Sequence, residues 1–556
     1  MKYTGARILI ETLIKNNVDT VFGYPGAAVL HIYDELFKYR NKIRHILVSH
    51  EQHASHAADG YARSTGRAGV CIATSGPGAT NLVTGIATAF VDSVPVIAIT
   101  GNVGIPLLGK DSFQEVDIAG ITMPIVKHNW IIEDVRDIEE IVNEAFFVAL
   151  SGRPGPVLVD IPRDISSAEI EIKGAESKIG NGRVERLINK TKRETFNDAD
   201  IDRAVSLIKD SKRPMIYAGG GVIRSGARNE VKKLAELLGS PAAMSLMGMG
   251  AVPHDHNFCA GLIGMYGTAA SNGAAQKTDL LIALGARFSD RVTNGSKGIA
   301  QKAKKIHIDI DPAEINKNIE VDAFIVGDLK KILPALIKKI PSDFLSEWND
   351  DFNRRETART NENKESALHP RFVIQETAKI LNDDAVVVTD VGQHQIWTAQ
   401  FYPFKNEGIF LTSGGLGTMG YGMGAAAGAK AANPQKPVVL FTGDGCFRMN
   451  CAEMAALVKY KLPVLIIIFN NSALGMLRQW QKISYKSRYY ETDLDNSCPD
   501  FIKLAEAYNI SGFRVTDKKS FTAALEKCAK LLAARKPALI EAVIDKNECV
   551  GMVNYN

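Results

Sequence analysis

The residues 438–445 read V-V-L-F-T-G-D-G, so an apolar run ends on Asp444 held between Gly443 and Gly445. Glycines on both sides allow a tight turn and let a ligand approach the backbone closely. The carboxylate then stands at the end of a buried run, where α/β sheets bind their ligands. A second apolar run, P-V-L-I-I-I-F, ends in Asn470-Asn471, and Asn471 follows Asp444 by 27 residues. Two adjacent strand ends could thus offer a carboxylate and an amide oxygen to one hard cation. Magnesium suits such a pair, because it takes few protein oxygens and completes its octahedron with phosphate and water. Far upstream, H-I-L-V-S-H-E brings Glu51 to the end of another apolar run. Taken singly, Glu51 is a solvated strand-end charge. His50, His53 and His56 recur beside it at intervals of three. They miss the i, i+4 spacing of a helical zinc pair, and no further Cys or His cluster completes a metal site, so the plain expectation is exposed or hydrogen-bonded histidines.

These groups need rigid elements to hold them. Short β-branched runs bounded by Gly, Pro or Asp recur at 45–50, 69–74, 94–100, 156–162, 214–220, 279–285, 305–311, 385–390, 438–443, 463–471 and 538–545. Runs of this length, apolar on both faces and separated by helical patterns, predict central strands of parallel sheets. Two charged stretches, 166–200 and 341–369, lose the apolar rhythm and read as strand-free linkers. They divide the 556 residues into about 1–165, 190–340 and 365–556, three doubly wound α/β domains. The N-terminal apolar residues fall at helical spacing and are interrupted by Glu11, which predicts an amphipathic helix rather than a leader peptide. A net charge of +4 is too small and dispersed for nucleic acid. No apolar run is long enough to span a bilayer. Seven scattered cysteines without a C-x-x-C pair point to a reduced, cytoplasmic compartment.

The pairing of G-D-G with N-N resembles the motif of thiamine-diphosphate enzymes. In that family a backbone carbonyl two residues beyond the Asn, here Ala473, is a third magnesium ligand. The segment H-E-Q-H-A-S-H-A-A-D-G-Y-A-R (50–63) is similar to the family's pyrimidine-binding segment. The resemblance makes Glu51 the catalytic carboxylate that shares a proton with the aminopyrimidine and so activates the thiazolium carbon. It extends over nearly the whole chain. S-G-P-G-A-T-N (75–81) resembles a turn of the first domain, and T-D-V-G-Q-H-Q (389–395) and S-G-G-L-G-T-M-G-Y-G (413–422) resemble cofactor loops. They imply that Gly392, Gln393 and His394 face the diphosphate, that Gly417 offers a carbonyl to the pyrimidine amine, and that Met419 wedges between the two rings.

Within that family the chain resembles acetohydroxyacid (acetolactate) synthases. N-N-S-A-L-G-M-L-R-Q-W (470–480) puts Met476 and Trp480 on one helix face, and the resemblance makes them walls of the pocket for the second 2-oxoacid. G-A-R-F-S-D-R-V-T (285–293) makes Arg287 a carboxylate clamp, and G-K-D-S-F-Q-E (109–115) makes Phe113 and Gln114 part of the site. Arg163 stands with the substrate-binding residues. The implied reaction decarboxylates pyruvate and ligates its hydroxyethyl unit to pyruvate or 2-oxobutyrate, in branched-chain amino-acid biosynthesis. Gly219, Gly220, Gly221, Met247, Gly264, Met265, Arg287 and Asp309 lie in segments similar to those that contact FAD, so FAD is expected in a structural role. The resemblance implies a homodimer or homotetramer whose site lies between subunits, with a regulatory small subunit as a further partner. The chain departs from the pattern at Arg163 (usually Lys), Tyr266 (His), Asn102 (Gln), Ala27 and His53 (Gly), and Ser289 (Asp), which touches FAD geometry and substrate preference. The alternatives are a catabolic FAD-independent acetolactate synthase, a pyruvate oxidase or a 2-oxoacid decarboxylase. Glyoxylate carboligase is disfavoured because it lacks the glutamate.

Overall fold

The computed structural model describes residues 2–171, 196–293, 299–348, 368–405, 408–495 and 497–551. Three six-stranded sheets, every neighbouring pair parallel, account for the fold. The first runs in spatial order Arg44–Leu47, Thr20–Gly23, Gly69–Ala73, Val96–Asn102, Val157–Pro162 and Asn129–Ile131. The second is Cys259–Leu262, Ala242–Met244, Pro214–Ala218, Leu280–Leu284, Lys304–Asp309 and Ala323–Val326. The third is Ile409–Leu411, Val386–Thr389, Val438–Gly443, Val464–Asn470, Ala538–Val543 and Ser511–Val515. Central strands such as Leu280–Leu284 are buried at every position, which is why they read as unbroken apolar runs rather than alternating ones.

All eleven expected runs carry strands. The strands outside them are mostly short edge or near-edge members, where one flank faces solvent and the apolar signal thins. One expectation is corrected. The stretch 166–200 is not strand-free, because Glu169–Glu171 pairs antiparallel with Lys2–Thr4 at the N-terminus. Three residues with one apolar position among two glutamates leave no run to see. Most of that stretch, most of 341–369, and the boundaries placed at 190 and 365 lie outside the described residues. The N-terminal helix is present as Gly5–Lys15, with the Thr4 hydroxyl accepting from the Arg7 amide.

The first and third domains meet through two helices, Glu51–Thr65 and Gly422–Ala432, both buried over most of their length. Backbone meets backbone there. A Cβ at Gly428 would come within 1.9 Å of the Ala57 carbonyl oxygen, and one at Gly60 within 2.2 Å of that of Ala425. Only glycine allows this approach. Among the described residues no helix is long and apolar enough to cross a membrane.

Candidate active site between three domains

Asp444 opens the helix Asp444–Asn450 at the end of strand Val438–Gly443. It is buried, and burial pushes its carboxyl up to about 7, against the pull of the Gly445, Ala473 and Ser472 amides. Its Oδ1 accepts from the Gly445 N–H at 2.9 Å, while Oδ2 is buried without a protein partner. An orphaned, desolvated carboxylate oxygen is costly unless a cation completes it. Asn471 stands alongside, its Oδ1 accepting from the Ala473 amide at 3.2 Å, after which the chain turns through Ser472 in a left-handed conformation (φ 52°). The donor set of Asp444, Asn471 and the Ala473 carbonyl fits magnesium: all are hard oxygens, few in number.

Beside this set lie two uncapped helix starts. Gly392 precedes Gln393–Phe401 and Leu474 precedes Gly475–Ser484, and neither gives a side-chain cap. Free N–H groups at such ends receive phosphate oxygens. The space is held open by missing side chains: a Cβ at Gly475 would lie 2.0 Å from Gln393 Oε1, and one at Gly443 3.1 Å from His394 Nδ1. Gln393 is fixed by Gln479 (3.0 Å) and the Glu548 carbonyl (2.8 Å). His394 is buried with Nε2 unpartnered, and burial holds it neutral, at about 3.

The loop that carries Gly417 and Met419 is fixed by a residue outside every expected set. Asp390, fully buried, accepts from the Gly420 and Gly422 amides (both 2.9 Å) and from the Thr442 hydroxyl (2.7 Å). One carboxylate thus ties both glycine loops to the strand that ends in Asp444. Gly417 and Gly420 take left-handed angles (φ 74° and 89°), and Met419 reaches towards Gly445.

A cavity of about 970 Å³ opens where all three domains meet, with Val91, Asp92 and Arg153 as its first-domain wall. Gly392 and Gly417 lie on one side, Met476 and Trp480 at a second, and Gly220, Gly221, Met247, Arg287 and Asp309 on the third. Gly219 donates to the Leu284 carbonyl (2.9 Å) and Gly221 to that of Gly285 (3.0 Å), so the turn packs on the neighbouring strand end with no room for side chains. Gly264 takes φ 106° and is held from both sides by Asn272, and Met265 donates to the Arg291 carbonyl. Burial pushes Asp309 up to about 6. Tyr266 donates to the Met476 sulfur (3.4 Å), which couples the middle domain to the Met476–Trp480 face. Arg287 has one nitrogen committed to the Val91 carbonyl (2.8 Å), whereas Arg291 lines the same cavity with Asp290 3.7 Å away.

Glu51, Phe113, Gln114 and Arg163 belong to the first domain and do not line this cavity. Glu51 begins the helix Glu51–Thr65, and its Oε2 accepts from Asn81 Nδ2 at 2.9 Å. Gly78 leaves room for it, since a Cβ there would lie 3.2 Å from Oε1. Gln114 has a left-handed backbone (φ 60°) whose carbonyl closes on Gly76, at the head of the same turn. Phe113 is 88% exposed and Arg163 is exposed. The histidines have ordinary tasks. His50 caps the helix, His53 bonds Glu453 of the third domain at 2.8 Å, and buried His56 contacts Gln52 and Tyr421.

Three parallel six-stranded sheets with a cation-ready G-D-G turn and a glutamate in another domain are the marks of a thiamine pyrophosphate enzyme. Matches to known families agree: the N-terminal TPP binding domain of thiamine pyrophosphate enzymes matches residues 3–121, the central domain 201–336, and the C-terminal TPP binding domain 390–542. Curated relatives narrow the class. The acetolactate synthase large subunit of Porphyra purpurea is 43% identical over 99% of this chain and 93% of its own length. That of Corynebacterium glutamicum is 44% identical over 98% and 87%, and the probable one of Methanocaldococcus jannaschii 44% over 99% and 93%. The chain belongs to the acetolactate synthase family of thiamine pyrophosphate enzymes.

Proposed function

We propose that this chain decarboxylates pyruvate and joins the two-carbon unit to a second 2-oxoacid. Pyruvate would give 2-acetolactate and 2-oxobutyrate 2-aceto-2-hydroxybutyrate, the reactions that begin branched-chain amino-acid synthesis in the cytoplasm. The observation that carries this reading is the continuous cavity that joins Gly417 of the thiamine loop to the Met476–Trp480 face and to the arginines of the middle domain. An apolar wall beside cations suits a short 2-oxoacid, its alkyl end against Trp480 and its carboxylate on Arg287 or Arg291.

Asp444, Asn471 and the Ala473 carbonyl would hold magnesium, and Gly392, Gln393 and His394 would face the diphosphate. Thiamine diphosphate supplies a carbon nucleophile that stores the electron pair left by decarboxylation. The chain's own contribution is positional. Glu51 would hold the proton exchanged with the cofactor's aminopyrimidine, and Met419 and Gly417 would position the cofactor from the 413–422 loop. Because Glu51 and Asp444 sit in different domains, and the family resemblance pairs them across a subunit interface, a homodimer is the smallest active unit, with a tetramer built from it and a small regulatory subunit as a further partner. Phe113 and Gln114 complete the site from the other copy, and Arg163 adds charge to the same face. The glycine-lined part of the cavity, with Gly220, Gly221, Met247 and Asp309 on its wall, would take FAD, and Gly219, Gly264 and Met265 shape the turns of the same domain. Domain edges fall near 165, 190, 340 and 365.

The experiment is product analysis from pyruvate alone. Acetolactate supports the reading; acetaldehyde, or acetyl phosphate with peroxide, replaces it by a decarboxylase or an oxidase. An absorbance spectrum of the purified protein tests the flavin, and a colourless protein that forms acetolactate would favour the FAD-independent alternative.

A further inference from the structure

The turn Val91-Asp92 ends the helix Val83–Val91 of the first domain, yet it also holds partners in both of the others. The carboxylate of Asp92, buried, accepts from the Gly414 amide at 3.0 Å and from the Gly415 amide at 2.8 Å. These are the first glycines of the loop that carries Gly417 and Met419. On the opposite side the Asp92 carbonyl receives the guanidinium of Arg224, and the Val91 carbonyl that of Arg287. Both arginines line the cavity of the middle domain.

Charge makes the turn more than a contact. Arg63, itself buried, pairs with Asp59 (2.7 Å) and with Asp92 (3.0 Å), and donates to the Thr412 carbonyl beside the loop. Two carboxylates on one guanidinium leave an excess of one negative charge in a desolvated place, and Arg224 supplies the balancing charge. The loop cannot shift independently of the turn. A Cβ at Gly415 would fall 2.3 Å from Val91 Cγ1 and 2.9 Å from Asp92 Oδ1, and one at Gly414 2.2 Å from the Met247 sulfur. Every neighbour of residues 414–415 named here is thus either the turn or a wall of the middle-domain cavity.

We propose that Asp92 is a positioning residue for the loop 413–417, and that the middle domain, through Arg224, sets where that loop stands. The middle domain then has a task in the thiamine chemistry that requires no electron transfer: it holds the turn that holds the loop. The catalytic meaning of this joint rests on the reading that the loop faces thiamine diphosphate, but the joint itself does not.

The test is hydrogen exchange by mass spectrometry on the full chain, comparing wild type with Arg224→Met and with Lys330→Met, whose ammonium serves Glu230 on the outside of the middle domain. Arg224→Met should speed exchange of the Gly414 and Gly415 amides by at least about tenfold, as expected when a buried acceptor loses its charge balance, and Lys330→Met should not. With cofactor bound to saturation, the Arg224→Met protein should also exchange the thiazolium C2 proton more slowly per bound molecule. Loop amides as protected in folded Arg224→Met as in wild type would overturn the proposal. Should Arg224→Met not fold, Arg224→Gln and Asp92→Asn carry the same comparison, and unchanged loop exchange in either overturns it equally. A wild type that binds no thiamine diphosphate would sink the functional reading instead, while the amide comparison would still decide the joint.

Discussion

Asn81 donates its side-chain N–H to Glu51 Oε2 at 2.9 Å, from a helix that starts directly after the left-handed Gly76. The carboxylate expected to exchange a proton is thereby aimed from within its own domain, before any cofactor or second chain arrives. A glutamine at position 51 keeps an oxygen for Asn81 and loses only the exchangeable charge. Glu51→Gln should therefore fold and bind magnesium and diphosphate like wild type, while turnover falls by about 10²–10⁴-fold, the range of general acid–base catalysis. Steady-state rates beside calorimetric cofactor titration check it; wild-type turnover removes the role.

Trp480 and Met476 share one face of the helix Gly475–Ser484 and both line the cavity. Trp480→Leu should lower the preference for 2-oxobutyrate over pyruvate by roughly tenfold, the scale of small volume changes in an apolar pocket. Competition between the two acids, read as the ratio of the two products, measures it. An unchanged ratio takes Trp480 out of the pocket.

Asp160, on the strand Val157–Pro162 next to the edge of the first sheet, accepts from the Thr100 hydroxyl and the Asn102 amide, each at 2.6 Å, and burial pushes it up to about 6. The folded state thus holds this proton more tightly than the unfolded chain. Its stabilisation is full below the ordinary carboxylate range, near 3.8, and is lost as pH rises towards about 6. A shift of this size amounts to about 3 kcal/mol. Urea unfolding at pH 4 and pH 7 should show a larger difference for wild type than for Asp160→Asn. Equal differences would refute the assignment.

Gly428→Ala puts a methyl where 1.9 Å separates it from the Ala57 carbonyl oxygen. Overpacking of this kind costs about 1–3 kcal/mol, so thermal unfolding should shift down by several degrees. An unaltered midpoint would mean that the two helices separate easily.

Much of this was legible in the chain. Fully buried strands such as Val464–Asn470 announce themselves as unbroken apolar runs, and Asp444 and Asn471 stand at their ends. Glycines 417, 219 and 264 have meaning in sequence because no other residue fits their backbone or their neighbours. Asp92 and Asp390 were not legible. Their partners are backbone amides, and a backbone amide leaves no mark on residue type. Asp92 reaches its pair of donor amides across more than three hundred positions, and no spacing rule spans that distance. Arg287 was visible as a cation, but its bond to the Val91 carbonyl was not, for the same reason. Strand Ser511–Val515 escaped because an edge strand half open to water need not be apolar.

The crossing of helices Glu51–Thr65 and Gly422–Ala432 has a mechanical result. Where Gly60, Gly424 and Gly428 bring backbone onto backbone there is little soft to compress, so the first and third domains are coupled stiffly at this crossing. The contact between the Met476–Trp480 segment and Tyr266 is the softer joint, because it runs through a thioether and a ring.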